Sequence, residues 1–590
     1  MFTNKVIPIS LAILLTCPGW IQAEGTKQIS PDASNQYFIH IRNSGDRGCF
    51  GTKACNDIFS RILFDIKETG ERVYFGAKMR NSYPSTYNYE IKKTDGTVVQ
   101  SGALPKVAGN PGFIPDYESA IAGPSNITPG GYLPISFTAP DSGTYIFDFD
   151  IGNTSSEFEV EFFDLTVASE LGIVQSGRLY SYSWNFTTSA GSKKYKGKMY
   201  PISADSVVTE INFNGMQPYA FSVSCNLTGC FSTKDFIKDR RSVTGLHNYP
   251  QYKVFFNNPD ESIFPSGTLG QLDSIKTANE CDGNLDILIW ANKPGLCDIM
   301  LDIDPTPGYQ SADRYLAGSI EPGISNVITW DGIDGNGSMV ANGSMITVNV
   351  TFVNGRTNLP LYDVEYGDTW PGFMVALVRP SGPVPKVFWC DTLVYSYSPP
   401  GNYPPQSIEL DGCINSSGCH PWGSIGDNNT MNTWWYSLTS SALPVPLIYK
   451  RSDLVLLPYI LCEGDSVNVF GNWVSTPGVF RDTATNFMGC DSITEITVTV
   501  KPGPVIELGD DQVLCQGEST TLGMTVPNVT SYEWNTIPPG PTPLGTNPTL
   551  TVNTTNTYQI KITASNGCIR TDQVHVTAAP MINNLLIKHN

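Results

Sequence analysis

The sequence predicts an all-β protein built from several β-sandwich domains in tandem. Its 590 residues include 54 Gly and 43 Pro, and aromatic residues make up 11% of the chain, whereas charged residues make up only 15%. Gly and Pro mark turns, and aromatic side chains suit the half-buried surface of a strand. Long segments with helical periodicity are absent from the sequence. A chain of this length accommodates about three to five domains.

The charge balance argues against nucleic acid as a partner. The formal net charge is -19 at pH 7, whereas binding to phosphates requires a concentrated basic surface. An acidic surface with few lysines is typical of a soluble extracellular protein and is compatible with divalent cations.

Residues 1–23 have the order of a secretory signal peptide. Lys5 precedes an apolar run from Val6 to Leu15, and Ala23 is a small residue at which cleavage is expected. In an alternative interpretation Cys17 is a lipidated cysteine, although its neighbours fit that motif poorly. No later apolar run approaches the roughly 20 residues that span a bilayer. The sequence therefore predicts a secreted or outer-surface protein with no transmembrane segment after removal of the signal.

Thirteen cysteines follow the predicted cleavage site, and cysteines in an exported chain predict disulfides. Cys390 has no assigned partner in this scheme, and the pairing among Cys281, Cys297 and Cys390 is left open. Zinc is disfavoured because the sequence has no CxxC motif. Local spacing predicts four short-range pairs: Cys49 with Cys55, Cys225 with Cys230, Cys281 with Cys297, and Cys413 with Cys419. Two long-range pairs are also predicted: Cys462 with Cys490, and Cys515 with Cys568.

Residues 24–168 are predicted to form a first β-sandwich. The stretches "RVYFGAKMR" and "GTYIFDFDIG" alternate or cluster aromatic and β-branched residues between turns, and "FEVEFFDLTVAS" supplies a closing strand. Residues 169–265 are predicted to form a second β-rich domain, which begins with "GRLYSYSWNF" and has turns at Asn214-Gly215 and Asn258-Pro259.

Residues 266–400 are predicted to form a β-sandwich with turns rich in Asp and Gly. The stretch "ITWDGIDGNGSMVANGSMITVNVTFVNG" has the form of a strand, a turn and two further strands. Asp331, Asp334 and Asn336 offer oxygen atoms to a structural Ca²⁺ ion. Their spacing differs from that of an EF-hand loop, and Asp-Gly and Asn-Gly are common hairpin turns. A turn is therefore the favoured interpretation and a calcium site the alternative; no other cofactor is predicted.

Residues 401–452 are rich in Pro and then in Trp, and Cys413 and Cys419 are expected to pin this segment. Trp434, Trp435 and Tyr436 are candidates for a platform on which sugar rings stack. The favoured interpretation is that Trp422 and the alternate members of this triplet fill the core of a small, disulfide-pinned unit. Neighbouring residues of a strand face opposite sides, so at least one of the three is expected to be exposed.

Two similar stretches, "ILCEGDSVNVF" from Ile460 and "VLCQGESTTLG" from Val513, predict two repeated domains. Each stretch is followed by a central Trp (Trp473, Trp534), a late Gly-Cys pair and a closing strand that alternates Thr, Val and Ile. This order is typical of a small immunoglobulin-like sandwich. We expect the first Ig-like repeat at residues 453–502 and the second at 503–580.

The two repeats resemble the Ig-like repeats of Bacteroidetes surface and secreted proteins, many of which belong to the gliding-motility-associated, type IX secretion group. The resemblance covers residues 455–578 and extends to residues 170–452 through "TWDGIDGNGSMVANGS" and "SSGCHPWGSIGDNNTMNTWWYS". It implies an adhesin or a cell-surface scaffold without a shared catalytic site. Cys390 stands where the resemblance leads us to expect an acid. No family-type sorting domain follows the second repeat, so we expect a longer chain or another mode of anchoring.

The sequence favours a binding protein over an enzyme. It contains no HExxH, GxSxG, P-loop or strand-linked GxGxxG motif. We therefore expect a surface adhesin or assembly scaffold that binds glycan or protein partners through loops and exposed aromatic residues. The alternative is a secreted hydrolase, acting on carbohydrate or peptide, whose catalytic part lies in residues 24–450 and whose Ig-like repeats act as spacers.

Overall fold

The computed structural model confirms the all-β prediction, with 49% of residues in strands and 3% in helices. No helix in the described part of the chain is long and apolar enough to cross a membrane. The predicted signal sequence, up to residue 22, and the Pro-rich stretch 395–411 lie outside the described residues. The structure describes residues 23–32, 40–43, 48–80, 87–150, 157–188, 194–233, 235–247, 249–364, 370–394, 412–414 and 417–579.

The chain divides into two compact units, and each combines segments that are distant in sequence. Unit 1 comprises residues 1–278, 285–339 and 345–447. Unit 2 comprises residues 279–284, 340–344 and 448–590.

Unit 1 holds most of the strands. The helices described in it are α1 (Thr26–Ile29), α2 (Tyr117–Ala122) and α3 (Phe236–Asp239). The strands, in chain order, are β1 (His40–Asn43), β2 (Ile62–Ile66), β3 (Arg72–Met79), β4 (Tyr87–Lys93), β5 (Val98–Leu104), β6 (Ile135–Thr138), β7 (Gly143–Asp150), β8 (Phe158–Ala168), β9 (Leu179–Ser181), β10 (Ser183–Thr187), β11 (Lys198–Ile202), β12 (Val208–Asn212), β13 (Ala220–Ser224), β14 (Val243–Thr244), β15 (Lys253–Phe255), β16 (Leu272–Asn279), β17 (Leu285–Ala291), β18 (Gly295–Asp302), β19 (Arg314–Ile320), β20 (Asn326–Trp330), β21 (Met345–Asn354), β22 (Thr357–Tyr362), β23 (Met374–Arg379), β24 (Val387–Phe388), β25 (Asn429–Trp435), β26 (Leu438–Ser441) and β27 (Val445–Ile448).

Two large sheets join the domains that were predicted as separate. One has the order β13-β10-β1-β8-β3-β6, and the other has the order β23-β12-β11-β15-β9-β2-β7-β4-β5. Strand β9 pairs with β2 on one side and with β15 on the other. Strands from 24–168 and 169–265 therefore share both sheets, and the boundary expected after residue 168 is absent. The sequence could not reveal this because strand pairing across domains leaves no local pattern.

Aromatic side chains at every second position fill the core between the large sheets. Tyr145, Phe147 and Phe149 of β7 are all buried, because alternate residues of a strand face the same side. The ring of Phe147 lies 5.2 Å from that of Phe75, and 5.8 Å from that of Phe163, measured between centroids. The core cluster includes residues from each of the four blocks predicted between residues 24 and 452.

Three smaller sheets complete unit 1. They have the orders β19-β18-β21-β26 with β27 also paired to β21, β14-β25-β22 with β24 also paired to β25, and β16-β17-β20. Strand β23, from the predicted 266–400 domain, instead lies at the edge of the nine-stranded sheet. Strand β25, from the predicted 401–452 segment, pairs with β14, β22 and β24. That segment therefore belongs to unit 1 as far as Leu447 and is not an independent small unit.

Unit 2 contains the two predicted repeats. In both repeats the first strand pairs in parallel with the last strand: β28 with β32, and β33 with β38. The strands are β28 (Asp453–Cys462), β29 (Val467–Val469), β30 (Asn472–Val474), β31 (Gly478–Thr485), β32 (Asp491–Lys501), β33 (Gln512–Leu514), β34 (Thr520–Gly523), β35 (Val529–Thr536), β36 (Thr549–Val552), β37 (Asn556–Ala564) and β38 (Ile569–Ala578).

The central tryptophans of the two repeats differ in burial. Trp534 is fully buried, and its Nε1 donates to the carbonyl oxygen of Asn547 over 3.0 Å. Trp473 is 73% exposed. It lies on β30, which pairs only with β29 among the described strands and forms a short hairpin. The central Trp is therefore a core residue in the second repeat and not in the first.

The long-range disulfides differ from the predicted ones because of the parallel pairing. Strand β28 aligns Cys462 with Lys501, whereas Cys490 directly precedes the start of β32. At about 3.3 Å per residue the two cysteines lie on the order of 30 Å apart, too far for a disulfide. In the second repeat Leu514 aligns with Ala578, so Cys515 and Cys568 are separated in the same way.

The structure instead links each repeat to another segment of unit 2. Cys281 is bonded to Cys490, and Cys462 is bonded to Cys568. The prediction that Cys281 pairs with Cys297 is thus wrong. The two pairs with a sequence separation of six residues are those that local spacing predicts: Cys49 with Cys55, and Cys413 with Cys419.

Five cysteines in the described part of the chain remain thiols. Cys225 and Cys230, which were predicted to pair, are buried, and burial raises the pKa of both thiols. Hydrogen bonds from the backbone N–H groups of Thr228 and Gly229 to Asn226 Oδ1 close the turn between them in place of a disulfide. The others are the buried Cys297 and Cys390 and the exposed Cys515.

Candidate functional site

The predicted tryptophan platform is buried. All seven residues of β25 are buried, and the strand pairs with β22 and β24. Trp434 is 1% exposed, and Trp435 is fully buried with its Nε1 donating to Thr209 Oγ1 over 3.2 Å. Tyr436, directly after the strand, is half-buried. The three residues therefore do not form the exposed stacking surface that was one of the two interpretations.

Trp434 and Tyr436 nevertheless line a cavity of about 350 Å³ in unit 1. Phe388 stacks on Trp434 with 4.3 Å between ring centroids and on Tyr436 with 5.2 Å. These three rings form one wall of the cavity. We call this cavity, together with the residues that line it, the aromatic groove.

The floor of the aromatic groove is one face of the sheet formed by β19, β18 and β21. Asp298, Met300 and Asp302 lie on this face of β18, and their neighbours Cys297, Ile299 and Leu301 are buried on the other face. The β18–β21 register sets Met300 opposite Asn349, and Asp298 opposite Thr351. The sequence signal for this floor is the alternation within "GLCDIMLD", which sequence reasoning missed as a site.

Two buried arginines lie behind the aromatic wall. The Arg240 guanidinium lies over the rings of Trp434 and Tyr315, with its central carbon 4.3 Å and 4.8 Å from their centroids. Arg356 forms a salt bridge with Asp298. Burial lowers the pKa of Arg356, but Asp298 and Tyr315 raise it further, so that the net shift is upward. The guanidinium groups of both arginines lie over the Trp434 ring and fix its orientation.

The open end of the aromatic groove is acidic. Asp313 is buried, and its carboxylate accepts backbone N–H groups of Ile303, Asp304 and Gln310 at 2.8–3.0 Å, which shapes the loop that carries Tyr309. The pKa of Asp302 is raised by partial burial and by the charges of Asp313 and Asp304.

The aromatic groove continues into a second cavity of about 750 Å³. The two cavities share Tyr309, Asp313 and Tyr315. The second cavity is also bordered by the helix α3 and by the face of β19. Together they provide room for a ligand longer than one ring.

The calcium candidates serve as turn residues. Asp334 Oδ1 accepts the backbone N–H groups of Asn336 and Ser338 at 2.9 Å and 2.8 Å. Asp331 Oδ1 accepts the N–H of Ile333 over 3.1 Å. Among the described residues, no group of three or more His, Cys, Asp or Glu side chains is arranged to hold a metal ion.

Sequence reasoning also missed a buried hydrogen-bond chain around His420. His420 Nδ1 lies 2.7 Å from Thr433 Oγ1, and His420 Nε2 lies 3.0 Å from Asp391 Oδ2. Ser242 Oγ donates to Asp391 Oδ1 over 2.6 Å. This connectivity is that of a hydroxyl–His–carboxylate triad. His420 and Thr433 are fully buried and Asp391 is 2% exposed, so the arrangement offers no surface to a substrate and serves to join β25 to its neighbours.

A family model described as an Ig-like domain, CHU_C associated, matches residues 503–580. These are the bounds predicted for the second repeat. No curated protein sequence matches the chain. The Ig-like domain and the disulfides are features of an extracellular protein.

Solved structures that resemble the chain do so only weakly. Domains 3–5 of the Drosophila OTK extracellular region are 9% identical, with 52% of this chain and 98% of that chain covered and a TM-score of 0.13. The immunoglobulin domains 1–4 of Sidekick-1 are 7% identical, with 53% and 99% covered and a TM-score of 0.13. Trypsin-activated alpha-2-macroglobulin from Escherichia coli is 8% identical, with 90% and 50% covered and a TM-score of 0.12. Values this low support no argument about function.

Proposed function

We propose that the protein is an extracellular adhesive scaffold that binds a glycan in the aromatic groove of unit 1. One observation carries this proposal: aromatic rings, carboxylates and the amide of Asn349 line two adjoining cavities. Aromatic faces pack against the apolar faces of sugar rings. Carboxylate and amide oxygens accept hydrogen bonds from sugar hydroxyl groups.

Within this proposal each part of the groove has a role. Tyr309, 49% exposed, and Tyr436 hold sugar rings from either side. Asp302 and Asn349 bond to hydroxyl groups, and Asp298 is held in place by its salt bridge to Arg356. Few of these side chains need to move, because Trp434 and the arginines are already packed; preorganised groups lose little entropy when a ligand binds.

The Ig-like repeats of unit 2 act as a spacer in this proposal. We also propose export through an N-terminal signal and the type IX secretion route, on the basis of the resemblance of the repeats to proteins of that group. The mass of the native protein in the cell-envelope and medium fractions, with its N-terminal sequence, tests the export proposal separately from ligand binding.

The binding proposal is tested by applying the full chain to an array of glycans, once with Ca²⁺ and once with a chelator. Glycans that retain the protein are then titrated with Tyr309→Ala and Asp302→Asn. Each variant removes one direct contact and is expected to weaken binding about tenfold, which corresponds to about 1.4 kcal/mol. Tyr219→Ala is the matched control, since Tyr219 is 54% exposed and lies outside the groove. Retention of no glycan, or equal affinity of all variants, would refute the proposal.

A hydrolase is the second candidate, and one observation favours it. Asp302 has a raised pKa in a groove that holds two further carboxylates, and raised carboxyl pKa values are typical of general acids in glycosidases. Incubating each retained glycan with the protein and measuring new reducing ends distinguishes the two functions. Turnover that Asp302→Asn abolishes would establish the enzyme.

A further inference from the structure

The first described residues of the chain are packed into unit 1 as a buried segment, residues 23–30. Gly25 forms a β-bridge with Asp164 of β8, and the N–H of Leu165 donates to the carbonyl oxygen of Glu24 over 2.9 Å. Both residues that flank the predicted cleavage site are buried. The residue that follows the cleavage site therefore has a defined place in the fold.

The Glu24 carboxylate is fully buried and accepts four hydrogen bonds. Oε1 accepts the backbone N–H of Gly177 over 2.6 Å and the side-chain amide of Asn257 over 2.8 Å. Oε2 accepts the backbone N–H groups of Arg178 and Leu179 over 3.2 Å and 3.1 Å. Burial raises the pKa of Glu24 to about 7, although these hydrogen bonds lower it. This arrangement fixes the position of the Glu24 main chain.

Asp164 is a second buried carboxylate beside the same residue. It is 1% exposed, and it accepts hydrogen bonds from Tyr132 Oη over 2.6 Å and from Thr166 Oγ1 over 3.0 Å. The backbone of Glu24 lies beside this carboxylate, since the adjacent Gly25 forms a β-bridge with Asp164, and its N–H lowers the pKa of Asp164. Burial raises the pKa of Asp164 to about 7, and the nearby Glu24 carboxylate adds to this rise.

The charges around this pair are unbalanced. Glu24 and Asp164 carry two negative charges when ionised, and the charged group that faces Asp164 from α1 is Lys27, which is half-buried. Arg178 contributes its backbone N–H here, whereas its guanidinium is bonded to Glu71 and to a further carboxylate. Buried charges are costly unless they are paired. A further positive charge at the Glu24 nitrogen would balance the site.

We infer that Asp164 is a built-in receptor for the α-ammonium group that cleavage between Ala23 and Glu24 creates. Hydrolysis by a signal-peptidase-type protease adds the hydroxyl of water to the Ala23 carbonyl carbon and a proton to the Glu24 nitrogen. The new amine takes a further proton from solvent at neutral pH. The Glu24 nitrogen, which lies beside Asp164 as a neutral N–H group in the uncleaved chain, then forms an ion pair with it. This inference rests on the predicted cleavage site and is independent of glycan binding.

The test compares two forms of the full chain, one that begins at Glu24 and one that begins at Gln22. The first is released from an N-terminal fusion by a protease that leaves no extra residue. Each form is made with Asp164 and with Asp164→Asn, and all four melting temperatures are measured. Asp164→Asn is expected to lower the melting temperature of the Glu24 form by about 3 °C or more beyond its effect on the Gln22 form. Glu161→Gln, on the same strand and paired with Lys78, is the control and is expected to act equally on both forms.

A second measurement needs no variant that is at risk of misfolding. The α-amine of the Glu24 form is labelled with an amine-reactive reagent across a range of pH, and the labelled N-terminal peptide is quantified by mass spectrometry. We expect slow labelling and an α-amino pKa above its ordinary value of about 8, because the Asp164 carboxylate favours the charged amine. An α-amine that labels as fast as that of an unfolded chain, or equal effects of Asp164→Asn in both forms, would overturn the inference.

Discussion

Removing the bond between Cys462 and Cys568 tests the connectivity of unit 2. The change is the double substitution Cys462→Ser and Cys568→Ser, which keeps the size of both side chains. The structure bonds these cysteines across a sequence separation of 106 residues. Cross-linking restricts the unfolded chain, so its removal makes the unfolded state more favourable.

The expected loss of stability follows from the length of the closed loop. For a loop closed across 106 residues, the chain-entropy relation gives about 4.8 kcal/mol at 25 °C. The same relation gives about 2 kcal/mol for Cys49 and Cys55, which are only six residues apart. The free energy of unfolding of unit 2 should therefore fall by about 5 kcal/mol, a large fraction of the stability of an ordinary domain.

Hydrogen exchange measured by mass spectrometry at increasing urea concentrations reports this loss locally. Peptides from β37 follow unit 2, and peptides from β7 follow unit 1. We expect protection of β37 to decrease strongly in the double variant and protection of β7 to remain unchanged. The control is Cys515→Ser, which removes an exposed thiol and should leave both regions as they are.

The pair predicted from sequence, Cys515 with Cys568, leads to the opposite expectation for Cys515→Ser. If Cys515 were bonded to Cys568, Cys515→Ser would destabilise unit 2 by several kcal/mol. A destabilising Cys515→Ser, or a disulfide-linked peptide that joins Cys515 to Cys568 in a non-reduced digest, would refute the parallel register from which the connectivity follows.

Three further predictions concern single side chains. Trp534→Ala should destabilise unit 2 by about 3–5 kcal/mol, whereas Trp473→Ala, at a position 73% exposed, should cost less than about 1 kcal/mol; urea unfolding of both variants compares them. Alkylation of the native chain, followed by peptide mapping, should label Cys515 first, because the other thiols described are buried. In the chain that begins at Gln22, burial raises the pKa of Glu24 and Asp164 to about 7, so the folded state binds more protons than the unfolded state between about pH 4 and 7. The difference in stability between this chain and its Asp164→Asn variant should therefore fall as the pH rises through this range and level off above pH 7. Thermal melting of both proteins measures this difference, and a difference that does not change with pH would contradict the prediction.

The modular plan of the C-terminal region could be predicted from sequence, and its cross-links could not. The repeated Cys-x-Gly-acid-Ser stretches and the alternating closing strands are local patterns, and they predicted the second repeat with the bounds that the family model matches. Whether the first strand pairs with the last in parallel depends on side chains tens of residues apart. The parallel register places Cys490 and Cys462 at opposite ends of the sheet, and no local sequence pattern predicts this register.

In the candidate site, too, the strands follow from local sequence patterns, whereas the contacts between distant segments do not. Trp434 and Trp435 lie on a strand, as was assumed for them, but a sequence pattern cannot distinguish a strand covered on one face from one covered on both. Strand β25 is covered on both, so Trp434 is buried and contributes one edge of the aromatic groove. The floor was present in the sequence as the alternation of Asp298, Met300 and Asp302 with apolar neighbours. The floor becomes part of a cavity because the fold places Phe388 and Tyr436 against it.

The disulfides of unit 2 link each repeat to a segment outside that repeat, and this explains why Cys515 remains a thiol. The late cysteine of the first repeat, Cys490, bonds back to Cys281, and the early cysteine, Cys462, bonds forward to the late cysteine of the second repeat, Cys568. Cys515 occupies in the second repeat nearly the position that Cys462 occupies in the first. Cys462 is the last residue of the strand that pairs in parallel with the closing strand, and Cys515 directly follows the equivalent strand. By this rule Cys515 has no partner within its own repeat, and its exposure follows from the register that separates it from Cys568.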